Sequence, residues 1–203
     1  MKERFAELWS RIRAKGDFKE EFRKLTLAYT GENRFYHNLF HISDGLEEIS
    51  LVRELADFSN ALEFAWFYHD FVYDSKAKNN EDKSAEACKE VCLRAGLPEE
   101  FIGKTDRLII ATKHIVAPSG NDEKLIVDVD LSILGKPKEI FDEYERSIRK
   151  EYSFVGEEDF RAGRKKILEG FLKRDSIYFT EFFRSKYELK AIENLKRSIS
   201  RLS

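Results

Sequence analysis

The segment from Ala61 to Tyr68 limits what this chain can fold into more than any other. It reads Ala-Leu-Glu-Phe-Ala-Trp-Phe-Tyr and runs straight into His69-Asp70. Wound as a helix, it places Ala61, Leu62, Phe64, Ala65, Phe67 and Tyr68 nearly all round the axis. A helix with no polar face belongs at the centre of a core. The spacing predicts that it runs from Ala61 to about Val72, with Ser59-Asn60 as its cap. It then ends in two polar groups, and burying such groups is costly unless they are paired or hold an ion. Neighbouring residues on a helix project about 100° apart. His69 and Asp70 can therefore share one ion only if it sits near the helix end.

Further polar groups lie on either side of this helix in sequence. Upstream is Tyr36-His37-Asn38-Leu39-Phe40-His41, so three of the four histidines fall between Tyr36 and Asp74. A helix predicted from Asn38 to about Phe58 carries Leu39, Ile42, Leu46, Ile49 and Leu55 inward, with His37 and His41 one turn apart at its start. Downstream, Asp128 and Asp130 interrupt an apolar run in a helix that begins at Asp122. An aspartate in such a run calls for a partner. Neutral imidazole and carboxylate together are ligands for a hard or borderline divalent metal.

The ordered set His41, His69-Asp70 and Asp130 resembles the metal-binding signature of the HD superfamily of metal-dependent phosphohydrolases. His37-Asn38-x-x-His41 is similar to cyclic-nucleotide phosphodiesterases. His69-Asp70-x-x-x-Asp74 is similar to the His-Asp-x-x-Glu-Asp of alarmone hydrolases, with Tyr73 in place of the Glu. From about Phe35 onward the chain most resembles the uncharacterised group of predicted metal-dependent HD phosphohydrolases, including Asp130-Leu131-Ser132-Ile133-Leu134-Gly135 and the basic Gly163-Arg164 region.

The resemblance implies an HD-domain-like bundle in which His41, His69, Asp70 and Asp130 hold one divalent transition metal. Asp128 is the alternative to Asp130. Manganese is the first expectation for the ion; iron, cobalt, nickel, zinc and magnesium are the others. The expected reaction is hydrolysis of a phosphoester or phosphoanhydride, with a nucleotide as substrate class. Asp74 is expected to orient or deprotonate the attacking water, and His37 to protonate the leaving oxygen. Lys113 and His114 are expected to meet developing negative charge, and Arg149, Lys150 and Arg164 to grip phosphate. The His-Asp-x-x-His element of two-metal phosphodiesterases is missing, because residue 73 is Tyr, so neither family's substrate carries over. The rival expectations are a non-catalytic metal or nucleotide sensor of HD fold, a two-iron oxygenase, and a purely structural helical protein.

The rest of the chain reads as helix. Phe5, Leu8, Trp9 and Ile12 form an apolar stripe over residues 3–15, which Gly16 stops. Asp17 is a candidate N-cap for a second helix holding Phe18, Phe22, Leu25 and Tyr29. After the two helices already placed come helices from about Glu81 to Ala95, from Pro98 to His114, from Asp122 to Leu134 and to about Tyr152. Two more follow, from Asp159 to Lys173 and after Thr180. The expected class is all-α, with roughly ten helices in a single HD-type domain over 1–203. Residues 1–32 would form an N-terminal flank, 33–135 the metal-site core and 136–203 the C-terminal helices. Tyr187, Leu189, Ile192 and Leu195 form a stripe on the last helix that closes the core or makes a homodimer.

Composition narrows the partners. Apolar residues make up 42% and charged residues 36%, the balance of a folded globular chain, and only 3 prolines interrupt it. A formal net charge of −2 gives no bulk attraction to nucleic acid, though a local basic pocket can still take a phosphorylated small molecule. No apolar run reaches the ~18 residues of a membrane span, and Met1-Lys2-Glu3-Arg4-Phe5 lacks a signal peptide's apolar region. Cys88 and Cys92 stand four apart on one helix face, an awkward geometry for a disulfide. They read as core thiols of a cytoplasmic protein.

Overall fold

The computed structural model describes residues 1–202. Among these residues it contains ten α-helices, two short 3-10 turns and no strand. The all-α reading therefore stands. The chain forms two compact units, Met1–Val127 and a second from Asp128 onward.

In the first unit, α1 (Lys2–Arg11), α2 (Phe18–Tyr29), α3 (Leu39–Val52), α4 (Ser59–Tyr68), α5 (Asn80–Arg94) and α6 (Glu99–Ala111) are arranged about α4. That helix packs against α1, α3, α5 and α6, and eight of its ten residues are buried. Each fully buried Phe or Leu there contributes about 1.5–3 kcal/mol relative to exposure. Phe5 of α1 sits among Trp9, Phe22, Phe64 and Phe67, with the Phe67 ring edge-on at 5.1 Å. Asp17 caps α2 by accepting the Lys19 N–H at 2.9 Å. Among the described residues, no helix is long and apolar enough to cross a membrane.

Three expectations are corrected here. Ser59 and Asn60 lie inside α4 and do not cap it; the N-cap is Phe58. The Asp122 carboxylate instead accepts the Asp57 and Phe58 N–H groups, both at 2.8 Å. The helix drawn to Phe58 ends at Val52, followed by a 3-10 turn (Arg53–Leu55) in which Leu55 is exposed. Finally, α4 ends at Tyr68, not near Val72. The Phe67 carbonyl accepts the Tyr29 hydroxyl at 3.1 Å, and the Phe71 N–H turns to the Tyr68 carbonyl at 3.0 Å. Continuing the helix would need the Phe71 N–H on the Phe67 carbonyl.

Helix α7 (Asn121–Leu131) contains the boundary between the units. The second unit continues with a 3-10 turn (Ser132–Gly135), α8 (Lys138–Glu151), α9 (Glu157–Leu172) and α10 (Glu181–Leu202). Here α10 packs on α9 and on the 3-10 turn. Gly135 is needed for this contact, since a Cβ there would lie 2.5 Å from Tyr187 Cβ. Asn194 Nδ2 donates to the Leu134 and Lys136 carbonyls at 2.8 and 2.9 Å. The stripe on the last helix divides: Tyr187 and Leu195 are core, Ile192 is half-buried and Leu189 is exposed.

Candidate metal centre

His41 stands in the first turn of α3. Asn38 caps that helix by accepting the Phe40 N–H at 2.8 Å. His69 and Asp70 follow the last residue of α4, where the chain leaves the helix. The early end of α4 lets the two adjacent side chains converge, which a continuous helix would oppose. His69 Nε2 lies 3.0 Å from Asp70 Oδ2, His41 Nε2 lies 3.1 Å from His69 Nε2, and His41 Nε2 lies 3.6 Å from Asp70 Oδ2. All three residues are buried.

The other ring nitrogen of His69 fixes what this triangle can be. Nδ1 lies 2.9 Å from the Trp66 carbonyl, which can only accept, so Nδ1 carries a proton. In the neutral ring Nε2 is then a lone pair, facing a carboxylate oxygen and a second imidazole nitrogen. His69 Nε2 and Asp70 Oδ2 are both acceptors 3.0 Å apart, so a proton on His41 Nε2, a second proton on His69 or a cation has to lie among the three atoms. Metal-bound histidines generally make the same outer hydrogen bond, which sets the tautomer and aims the lone pair. Ligands about 2.1 Å from one ion stand about 3.0–3.4 Å apart at square or tetrahedral angles, close to the separations found. His41, His69 and Asp70 thus make a His/His/Asp cluster able to hold a divalent metal. Burial works against the charged Asp70 carboxylate, but the imidazoles of His69, His37 and His41 outweigh it. The Asp70 carboxyl is held far below the usual carboxylate range.

Aromatic rings enclose the cluster. The Trp66 indole stacks on His69 with centroids 4.1 Å apart, stands edge-on to His41 at 5.0 Å, and donates its Nε1–H to the Ile42 carbonyl at 2.9 Å. Gly45 makes room for it, as a Cβ there would lie 2.0 Å from Trp66 Cζ2. Tyr36 tilts over His41 at 4.8 Å. His37 is half-buried in the loop before α3, stacked on Tyr73 at 4.3 Å and 6.0 Å from the His41 ring.

The remaining predicted site residues have other surroundings. Asp74 is exposed, and its Oδ1 accepts the Lys76 N–H at 2.9 Å in a turn that Asn80 also holds. Lys113 pairs with Asp82 of α5 at 2.5 Å. His114 closes the end of α6 with φ +56°. In the second unit, Arg149 donates to the Tyr152 and Val155 carbonyls and to Glu157, at 2.7, 3.1 and 3.0 Å. Arg164 is buried against Glu145 and the Tyr144 hydroxyl. Lys150 is exposed on α8.

Asp130 is half-buried in the last turn of α7. Asp128, the alternative ligand, is occupied: its two oxygens accept the Phe179 N–H, the Thr180 N–H and the Thr180 hydroxyl at 2.8, 2.8 and 2.6 Å. Burial raises its carboxyl to about 6 against these hydrogen bonds.

Sequence reasoning missed Arg34, Trp66 and Gly45. Arg34 donates to the His37, Asp70 and Phe71 carbonyls at 3.1, 2.6 and 2.8 Å. No periodicity marks a loop arginine that binds backbone 36 residues away. The only available signal was the apolar run around Trp66, which fixes burial but not which ring meets His69. The chain matches no family model, no curated protein and no solved structure.

Proposed function

We propose that this chain is a metal-dependent phosphohydrolase of HD type, cleaving a phosphoester or phosphoanhydride bond of a nucleotide. The observation that carries the proposal is the meeting of His41 Nε2, His69 Nε2 and Asp70 Oδ2 within 3.6 Å, with His69 Nδ1 tied to the Trp66 carbonyl. The sequence order His41, His69-Asp70, Asp130 adds Asp130 as the fourth ligand, and the occupation of Asp128 by Phe179 and Thr180 favours that choice. Two imidazoles and two carboxylates suit manganese, iron, cobalt, nickel or zinc better than magnesium. When bound, such an ion supplies Lewis acidity to a phosphoryl oxygen and makes water a better nucleophile near neutral pH.

The chain's own groups do the rest. Asp70 and the two imidazoles are buried and oriented before substrate arrives, so little reorganisation is needed at the reacting centre. The Trp66 and Tyr36 rings keep bulk water from the ligands. His37, outside the ligand triangle and stacked on Tyr73, would give a proton to the leaving oxygen. The bonding of Asp74 within its turn favours a second reading, a non-catalytic sensor that binds metal and nucleotide without turnover.

Both readings are tested by product release from nucleotides, alarmones and simple phosphoesters with manganese-loaded protein beside Asp70→Ala. Turnover of one class, lost in the variant, supports the hydrolase. Metal bound with no product from any substrate selects the sensor.

A further inference from the structure

We propose that Arg34 is the positioning residue of the metal centre: its guanidinium supplies the donors for the carbonyls of the turn after α4, and so holds the turn on which His69 and Asp70 converge. The inference rests on the metal-site reading for one of its two readouts and is independent of it for the other.

A helix that stops abruptly in a protein interior leaves carbonyls without N–H partners. The last carbonyls of α4 find partners nearby, Trp66 at His69 Nδ1, Phe67 at the Tyr29 hydroxyl and Tyr68 at the Phe71 N–H. The chain beyond is not helical, and the Asp70 and Phe71 carbonyls have to be met from elsewhere. Arg34 supplies both donors, Nη1–H to Asp70 at 2.6 Å and Nη2–H to Phe71 at 2.8 Å. The same Nη1 also reaches the His37 carbonyl at 3.1 Å. One rigid, planar group therefore ties the loop that leads into His41 to the turn that carries His69 and Asp70. The two segments are 36 residues apart in sequence.

The guanidinium is itself held. Its carbon lies 4.9 Å from the Tyr29 ring centre and 5.4 Å from that of Tyr73. Tyr29 is anchored by its hydroxyl on the Phe67 carbonyl, and Tyr73 carries the stacked His37 ring. Arg34 thus links all three histidines of the site: His37 through Tyr73 and through its carbonyl, His41 through the loop before α3, and His69 through the turn. Arg34 acts on the site through the backbone carbonyls of His37, Asp70 and Phe71, so its role is to position. A lysine keeps the charge, but a single ammonium lacks the flat fork that spans two successive carbonyls and lies between two rings. Arg34→Lys should therefore fail to rescue.

The test uses the full chain as wild type, Arg34→Lys and Arg34→Met. Cobalt(II) is titrated into metal-stripped protein and followed by visible absorption. Histidine ring resonances are followed by 15N NMR in the metal-free protein, and helicity by far-ultraviolet circular dichroism. The expected result is that both variants keep wild-type helicity and bind cobalt at least ~10-fold more weakly, the range for outer residues that orient ligands. Their cobalt spectra should change, and the metal-free ring resonances of His37 and His69 should shift. Wild-type affinity with unmoved resonances in Arg34→Lys would overturn the proposal. Loss of helix throughout in both variants would also overturn it, making Arg34 a general determinant of folding. If wild type itself takes up no cobalt, the metal reading fails. The ring resonances then decide for Arg34: a shift in Arg34→Lys upholds it, and no shift overturns it.

Discussion

At the scale of single residues, His69 is fixed from both ends of its ring, by the Trp66 carbonyl at Nδ1 and by Asp70 and His41 at Nε2. Its flat face is fixed by the Trp66 indole, and the indole by the absence of a side chain at Gly45. Gly45→Ala should therefore cost about 1–3 kcal/mol by overpacking, measured by urea denaturation, and should also weaken metal binding because the displaced indole leaves His69. An unchanged metal affinity would show that the indole does not orient the ring. Asp128 makes a second prediction. Its carboxyl rises from 3.8 to about 6 in the fold. The folded state then holds more protons than the unfolded chain between these values, so stability falls as pH rises through the window. The loss is complete above it and amounts to about 3 kcal/mol, from ~1.36 kcal/mol per pH unit. The stability difference between wild type and Asp128→Asn should accordingly shrink or reverse as pH climbs from about 4 to 6. A difference that grows with pH would mean that the hydrogen bonds of Phe179 and Thr180 outweigh burial. His69 and Asp70 stood out in the sequence because polar side chains seldom end so apolar a helix, and His41 because it lies one turn from His37 at a helix start. The supporting residues were not, because nothing local distinguishes Arg34 or Gly45 from an ordinary loop arginine or helix glycine.

At the scale of elements, α4 is legible and its limits are not. The apolar run around Phe64 could only be a buried helix, and the stripes of α1 and α2 follow from Phe5, Leu8, Phe22 and Leu25 in the same way. The surroundings of α4 are set by side chains far off in sequence: the Asp122 carboxylate before its start, the Tyr29 hydroxyl at its end and the Arg34 guanidinium in the turn beyond. Leu55 lies outside its predicted helix, in the 3-10 turn that follows α3 and whose Arg53 reaches Glu63. Glu63 is buried in α4 and meets Arg4 and Arg11 of α1, both at 2.6 Å, and Arg53 at 2.8 Å. This one carboxylate joins α1, the turn after α3 and α4. Removing one partner of a buried ion pair costs about 3–5 kcal/mol. The three arginines keep some contact with water, so Glu63→Gln should fall near the lower end, about 3 kcal/mol in urea denaturation. A cost under about 1 kcal/mol, the worth of a surface pair, would mean that the arginines hold the helices through Leu46, Ser50 and Asn60 instead.

At the scale of the whole molecule, a metal that binds the folded chain and not the unfolded one must raise its stability. At a free concentration one hundred times its Kd the gain is about 2.7 kcal/mol. For a chain of this size each kcal/mol moves the melting temperature by about 2–4 °C, so manganese should raise Tm by about 5–10 °C. His69→Ala should show no rise, because it removes the nitrogen on which the other two ligand atoms converge. Asp130→Ala separates the two ligand sets. His41, His69 and Asp70 belong to the first unit, and Asp130 to the second. If Asp130 completes the set, its removal should lower manganese affinity and shrink the shift at fixed metal, while its metal-free Tm stays near wild type. A full wild-type shift in Asp130→Ala would assign the ion to the three ligands of the first unit alone. The order of ligands along the sequence, which first pointed to Asp130, would then describe three residues and a coincidence.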